Sequence, residues 1–260
     1  MSETILKTEK LCKIYSMGKR KVHALQGLTL QVVKGEFIAI MGSSGSGKTT
    51  LLNMLGCLDK PTSGKILLDQ QDVASLPEKK LCEIRRNKIG FVFQTFNLLP
   101  YLNAEENVEL PMEHSQKSKV ERKKRARELL QMVGLSGREN HRPNRLSAGE
   151  QQRVAIARAL ANNPSIILAD EPTGNLDSAN KFEIVKLLAR LNMSQGTTII
   201  MVTHDGQVAS HTEKMLLLSD GRITKEKQGL HLAKKNQQCP YCGNKIQIDN
   251  DRCPSCGKRI

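Results

Sequence analysis

Gly42-Ser43-Ser44-Gly45-Ser46-Gly47-Lys48-Thr49 follows the apolar run Phe37 to Met41 and precedes Leu51-Leu52-Asn53-Met54-Leu55. Strand, glycine-rich loop and helix in that order match the phosphate-loop pattern G-x-x-x-x-G-K-[ST]. The glycines let the backbone curl so that successive N–H groups point inward, and the following helix adds its positive end to the same concavity. Such a nest fits an anion of triphosphate size. Lys48 is then placed to reach the β and γ phosphates as a point charge, and the Thr49 hydroxyl to ligate Mg²⁺.

Working outward, a second apolar run, Ile166-Ile167-Leu168-Ala169, ends in Asp170-Glu171. Four consecutive apolar residues suit a central parallel strand, which sets the two acids at its C-terminal edge, where α/β sheets keep their ligands. There Asp170 can bind Mg²⁺ while Glu171 polarises an attacking water. Pro172 follows directly, so a helix N-cap pair is the competing reading. A β-rich stretch, Thr197 to Thr203, reads as another buried strand and delivers His204 and Asp205 to the same edge.

On the N-terminal side, Ile5 to Tyr15 reads as an edge strand and Ala24 to Val33 as another strand. Tyr15 stands where it could stack on a base, or simply pack. A short strand at Gly90 to Phe93 ends at Gln94. Residues 95–163 differ from their surroundings, with helical periodicity and breaks at Pro100, Pro111, Gly134, Gly137 and Pro143, and read as a helical insertion. It closes with Leu146-Ser147-Ala148-Gly149-Glu150, in which Ser147 is a good N-cap for the helical run Val154 to Ala161. A turn at Pro172 to Asp177, a helix over Ser178 to Met193 and a hairpin over Lys214 to Lys225 with its turn at Asp220-Gly221 complete the domain.

The 260 residues carry a net charge of +14, but only 3 % are aromatic and none is Trp, which argues against a base-stacking nucleic-acid surface. Lys117 to Arg127 holds seven basic residues and one acid and reads as a solvated helix face, with a membrane-facing or regulatory role as the alternative. No run has the 18 or so apolar residues of a membrane span, and Met1 to Met17 lacks the apolar stretch of a signal peptide. A cytoplasmic location is therefore expected. Cys12, Cys57 and Cys82 are scattered and read as packed.

After a basic linker, 226–238, come Cys239-Pro240-Tyr241-Cys242-Gly243 and Cys253-Pro254-Ser255-Cys256-Gly257. Two C-x-x-C pairs at this spacing predict a zinc ribbon over 239–260, with Cys239, Cys242, Cys253 and Cys256 as thiolate ligands of a structural Zn²⁺. Thioredoxin-like redox chemistry is the alternative, but no βαβ pattern surrounds either pair.

Over residues 3–225 the chain resembles the ATP-binding subunit of ABC transporters. The resemblance rests on Tyr15, Gly42 to Thr49, Gln94, Leu146 to Glu150, Asp170-Glu171, Asn175 to Asp177 and His204, in that order. It implies an α/β P-loop ATPase with a mixed central sheet, an N-terminal antiparallel part and the helical subdomain. It also implies ATP on Tyr15 and on Gly42, Ser43, Ser44, Gly45, Ser46, Gly47, Lys48, Thr49 and Thr50, with Mg²⁺ on Thr49, Gln94 and Asp170. Glu171 would be the base and His204 a γ-phosphate contact.

Leu146, Ser147, Ala148, Gly149 and Glu150 match the signature segment, implied to complete the ATP site of a second subunit in a homodimer. Phe91 to Pro100 and Asn107 to Pro111 resemble the branch serving lipoprotein-release, macrolide-export and antimicrobial-peptide systems. That branch implies a separate transmembrane permease and a place at the inner membrane face. A regulatory ATPase controlling a membrane-anchored cell-wall or division complex is the other implication. Ala148 stands where the family usually has glycine; its methyl is expected to crowd the approach of the second subunit or to restrict a backbone needing positive φ.

Overall fold

The computed structural model describes residues 3–18, 20–230, 242, 244 and 252–258. Strands β1 (Thr4–Met17), β2 (Arg20–Val33) and β3 (Phe37–Met41) lead into helix α1 (Lys48–Leu55), followed by β4 (Ser63–Leu68) and β5 (Gln71–Asp72). Helix α2 (Glu78–Lys88) and strand β6 (Ile89–Val92) precede α3 (Ala104–Glu109), α4 (Lys119–Met132) and α5 (Ala148–Ala159). The chain continues through β7 (Ile166–Asp170), α6 (Ser178–Gln195), β8 (Thr198–Thr203), α7 (Gly206–Ser210), β9 (Lys214–Ser219) and β10 (Arg222–Gln228).

The unbroken apolar runs form β3, β7 and β8, buried on both faces as their lack of alternation requires. They lie in a six-stranded sheet of order β10-β9-β3-β8-β7-β6, parallel except for the β9–β10 hairpin. Alternate residues feed two cores. Ile38, Ile40, Ile166, Leu168, Ile200 and Val202 pack with α1 and the N-terminal strands. Phe37, Ala39, Ile167, Ala169, Ile199 and Met201 pack with α5, α6 and the helical insertion. The fold is therefore an α/β P-loop architecture with a mixed sheet and a helical subdomain.

Several boundaries depart from the sequence reading. β1 is not an edge strand, because it pairs with β2 on one side and β4 on the other in an antiparallel sheet of order β2-β1-β4-β5. Its second partner lies about fifty residues downstream, beyond the reach of local patterning. α2 and β5 were not anticipated: α2 buries only Leu81 and Ile84, too sparse an apolar stripe to read. The signature helix begins at Ala148 rather than Val154, with Ser147 and Glu150 forming a reciprocal capping box. Asp170 ends β7 and α6 is capped by Asp177, so the Asp170-Glu171 pair does not start a helix. Cys82 is exposed, not packed.

The basic run on α4 is engaged rather than merely solvated. Arg127 and Lys123 reach Glu105, Arg122 reaches Glu109, and both acids are buried on α3. Arg125 donates to the Asn163 side chain at 2.6 Å.

Asn107 on α3 is fully buried and organises the loop that enters the insertion. Its carbonyl accepts from the Leu99 N–H at 2.8 Å, and its amide donates to the carbonyls of Leu99, Leu102 and Asn103. Asn107→Ala strands these groups in the interior and should cost about 2 kcal/mol in denaturant unfolding. Asn107→Asp keeps the acceptor and loses the donors, and should not recover wild-type stability.

Candidate nucleotide site

Parallel pairing sets Met41 beside Thr203, and Asp170 beside Val202, so the segments leaving β3, β7 and β8 emerge on one edge. From Met41 the chain turns through Gly42 to Gly47. The Ser46 N–H donates to the Ser43 carbonyl at 3.2 Å, and the Ser46 carbonyl accepts from Gly221 at 3.0 Å, tying the loop to the β9–β10 turn. Gly47 caps α1 with φ of 102° and offers no capping side chain. A Cβ there would run into the Ala24 carbonyl oxygen, and the conformation is strained for any L side chain. The first N–H groups of α1 thus lack a side-chain acceptor, which leaves them for an anion.

Lys48 Nζ donates to the carbonyls of Gly42 and Ser43, each at 2.8 Å. The Ser46 hydroxyl is buried and has no hydrogen-bond partner among the described residues. Uncapped helical N–H groups and a lysine within one loop form a donor set that fits a polyphosphate.

Across the edge, Asp170 is half-buried. Burial raises its carboxyl above the ordinary range, the Glu171 charge adds to the rise, and Lys48 opposes it. A carboxylate so placed, lining the same cleft as Thr49, suits a hard cation such as Mg²⁺. Glu171 has φ of 45°, the left-handed region that non-glycine residues enter at a cost. Its N–H donates to the Val202 carbonyl at 3.0 Å and its carbonyl accepts from Gly174 at 2.9 Å, which fixes the turn out of β7. Glu171 Oε1 lies 2.9 Å from His204 Nδ1, with the histidine side chain 67 % exposed. Because an ionised carboxylate only accepts, this pairing places the ring proton on Nδ1 and leaves Nε2 as the second ring nitrogen.

These groups and Tyr15 line one cleft of about 700 Å³, together with Ser44, Gly45, Gly47, Thr49 and Thr50. Gly42, Ser43 and Ser46 lie outside the lining. Tyr15 is held by residues that sequence reading missed. Its hydroxyl donates to Asp59 at 2.9 Å, and Lys13, which bonds the other Asp59 oxygen at 2.7 Å, sits over the ring 4.9 Å from its centroid. Burial alone would raise the Asp59 carboxyl, but the hydrogen bonds from Lys13, Tyr15 and the Lys60 N–H outweigh it and hold it below the ordinary range. Asp59 belongs to none of the motifs in the sequence.

Two expected segments lie elsewhere. Gln94 donates to the Asn175 side chain at 3.3 Å, and Asn175 returns a bond to the Gln94 carbonyl at 3.0 Å. Leu146 to Glu150 does not line the cleft, and Ser147 and Ala148 are exposed at the start of α5. Ala148 is the first helical residue and has no positive φ, so the expected backbone restriction does not arise. Gly149 is the tighter position, since a Cβ there would stand 2.8 Å from Asn180 Oδ1 and that side chain would have to shift. Gln152, also missed, is fully buried and donates to the carbonyls of Pro172 at 2.7 Å and Phe93 at 3.4 Å, joining α5 to both loops. Of the four C-terminal cysteines, Cys242, Cys253 and Cys256 come together. Cys239 lies outside the described residues.

The fold and cleft define a P-loop nucleotide-hydrolysing domain. A sequence profile of the ABC transporter family matches residues 25–174. An uncharacterized ABC transporter ATP-binding protein of Thermotoga maritima is 53 % identical over 211 residues, 81 % of this chain and 90 % of that protein. The solved dimer of Methanocaldococcus jannaschii MJ0796 bound to ADP and Pi superposes with a TM-score of 0.79 at 50 % identity, covering 86 % of this chain and 98 % of that one. Macrolide export ATP-binding/permease protein MacB 2 of Aeromonas hydrophila is 48 % identical across 87 % of this chain but only 35 % of its own length. The chain belongs to the ABC transporter family, as an ATP-binding cassette with ATPase activity.

The raised Asp170 pKa has a consequence for stability. Between the unfolded and the folded pKa the native state holds a proton that the unfolded chain has released, so this carboxyl destabilises the metal-free fold increasingly as pH rises through that window. Without Mg²⁺, Asp170→Asn should therefore raise the melting temperature at pH 7. The gain should vanish below the ordinary carboxylate pKa, as thermal scans across pH would show.

Proposed function

We propose that two copies of this chain sandwich two ATP molecules and that their closure drives a separate membrane permease of the export or mechanotransmission branch, from the inner membrane face. The observation that carries this reading is the separation of Leu146 to Glu150, which presents Ser147 and Ala148 to the surface at the start of α5, from the cleft of its own chain. That segment is then free to complete the site of a second copy. Among the described residues no helix is long and apolar enough to cross a membrane.

In this reading Tyr15 stacks on the base, positioned by Asp59 and Lys13. Residues 42–50 bind the phosphates, with Lys48 exchanging its backbone carbonyls for phosphate oxygens. Thr49 and Asp170 would hold Mg²⁺, with Gln94 joining them on release of Asn175, and the ion would supply charge neutralisation on the phosphates. Glu171 orients and deprotonates the attacking water, and His204, itself aligned by Glu171, steadies the γ phosphate. Gln94 and Gln152 connect events at the cleft with the helical subdomain.

Glu171→Gln removes the base and keeps the hydrogen-bonding shape. It should lower turnover by about 10²-fold or more while accumulating an ATP-bound dimer in light scattering. Near-native turnover in this variant would remove Glu171 from the role of base. A persistently monomeric ATP complex would remove the sandwich.

Ala148 keeps the helix start intact but adds a methyl where a second copy must approach. Steady-state assays should show several-fold faster hydrolysis for Ala148→Gly, with unchanged ATP affinity of the monomer. An equal rate would show that the methyl is accommodated.

A further inference from the structure

Cys242 and Cys253 come from different C-x-x-C pairs, yet their Sγ atoms stand 3.7 Å apart. Together with Cys256 they form a group whose sulfurs all lie within 4.8 Å of one another. The separation is far beyond the roughly 2.05 Å of a disulfide. It agrees with the edge of a tetrahedral zinc thiolate site, where bonds of about 2.3 Å place neighbouring sulfurs about 3.8 Å apart. A redox dithiol would pair the two cysteines within one motif, whereas a single metal ion needs sulfurs from both.

The loop around Cys253 orients its sulfur. Cys253 is 1 % exposed. Its Sγ accepts from the Ser255 N–H at 3.4 Å, its N–H donates to the Lys258 carbonyl at 2.9 Å, and its carbonyl accepts from Gly257 at 2.8 Å. Gly257, at φ of 70°, turns the chain so that these bonds close. A buried sulfur that accepts a backbone N–H across a tight turn is oriented as a metal ligand and partly compensated as an anion.

We propose that Cys242, Cys253 and Cys256 bind one Zn²⁺ as thiolates, and that Cys239, placed by sequence three residues before Cys242, is the fourth ligand. Binding releases the thiol protons and involves no change of oxidation state. Four thiolates fill the tetrahedron, so the site is structural. It shares no residue with the lining of the ATP cleft, and its role is to fold a segment too small to supply an apolar core of its own.

The test uses the full chain, purified under reducing conditions without chelator. Elemental analysis should find about one zinc per chain. Co²⁺ added to the demetallated, reduced chain should give the thiolate charge-transfer and visible bands of a tetrahedral site. Cys253→Ser and Cys256→Ser should each lose the stoichiometric metal and weaken those bands, whereas Cys82→Ser should change neither. Cys239→Ser losing the metal supports the fourth ligand; full retention overturns it. A metal-free chain with no cobalt bands, a Cys253–Cys256 disulfide found by mass mapping, or zinc retained in the Cys253→Ser variant would overturn the site. ATP hydrolysis measured on the same samples keeps failure of this site distinct from failure of the ATP reading.

Discussion

Parallel strand pairing is the constraint on which the rest depends. Once β3, β7 and β8 hydrogen-bond in register, Met41, Asp170 and Thr203 end together, and whatever follows them in sequence must share one edge. The loop Gly42 to Gly47, the acids Asp170-Glu171 and His204 are brought together by backbone geometry before any side chain chooses a partner. Burial of both sheet faces makes this register costly to slip, because a shift by one residue would exchange the two core-facing sets.

The helical subdomain and the loops at that edge are joined by a few polar contacts, one buried at Gln152 and one at the surface between Gln94 and Asn175. Gln152 bonds the carbonyls that follow β6 and β7, and Gln94 and Asn175 exchange bonds across the same gap. Polar links of this kind are directional, so displacement at one loop is felt at the other. The apolar contacts beneath them set stability more than orientation.

Much of the site was legible in the sequence because it is written in contiguous motifs. Gly42 to Thr49, the run ending in Asp170-Glu171 and the cap at Ser147 each carry local backbone requirements that residue order expresses. Contacts between distant segments were not legible: Asp59 beneath Tyr15, Lys13 over its ring, and β4 against β1 all depend on how the antiparallel sheet folds back. The start of α5 was missed for a different reason. Ala148 and Gly149 look like loop residues, and only the reciprocal bonds of Ser147 and Glu150 show that the helix has already begun.

Lys48 is engaged by the carbonyls of Gly42 and Ser43. A phosphate arriving at this loop therefore does not meet a free cation; it competes with two acceptors already satisfied. The net gain from the ammonium is the difference between two sets of hydrogen bonds, which is smaller than a bare ion pair would deliver. An anion that can offer only weak acceptors leaves the lysine where it is. Ligand discrimination in this loop thus begins as a contest between acceptors, and a highly charged polyphosphate is the kind of ligand equipped to win it.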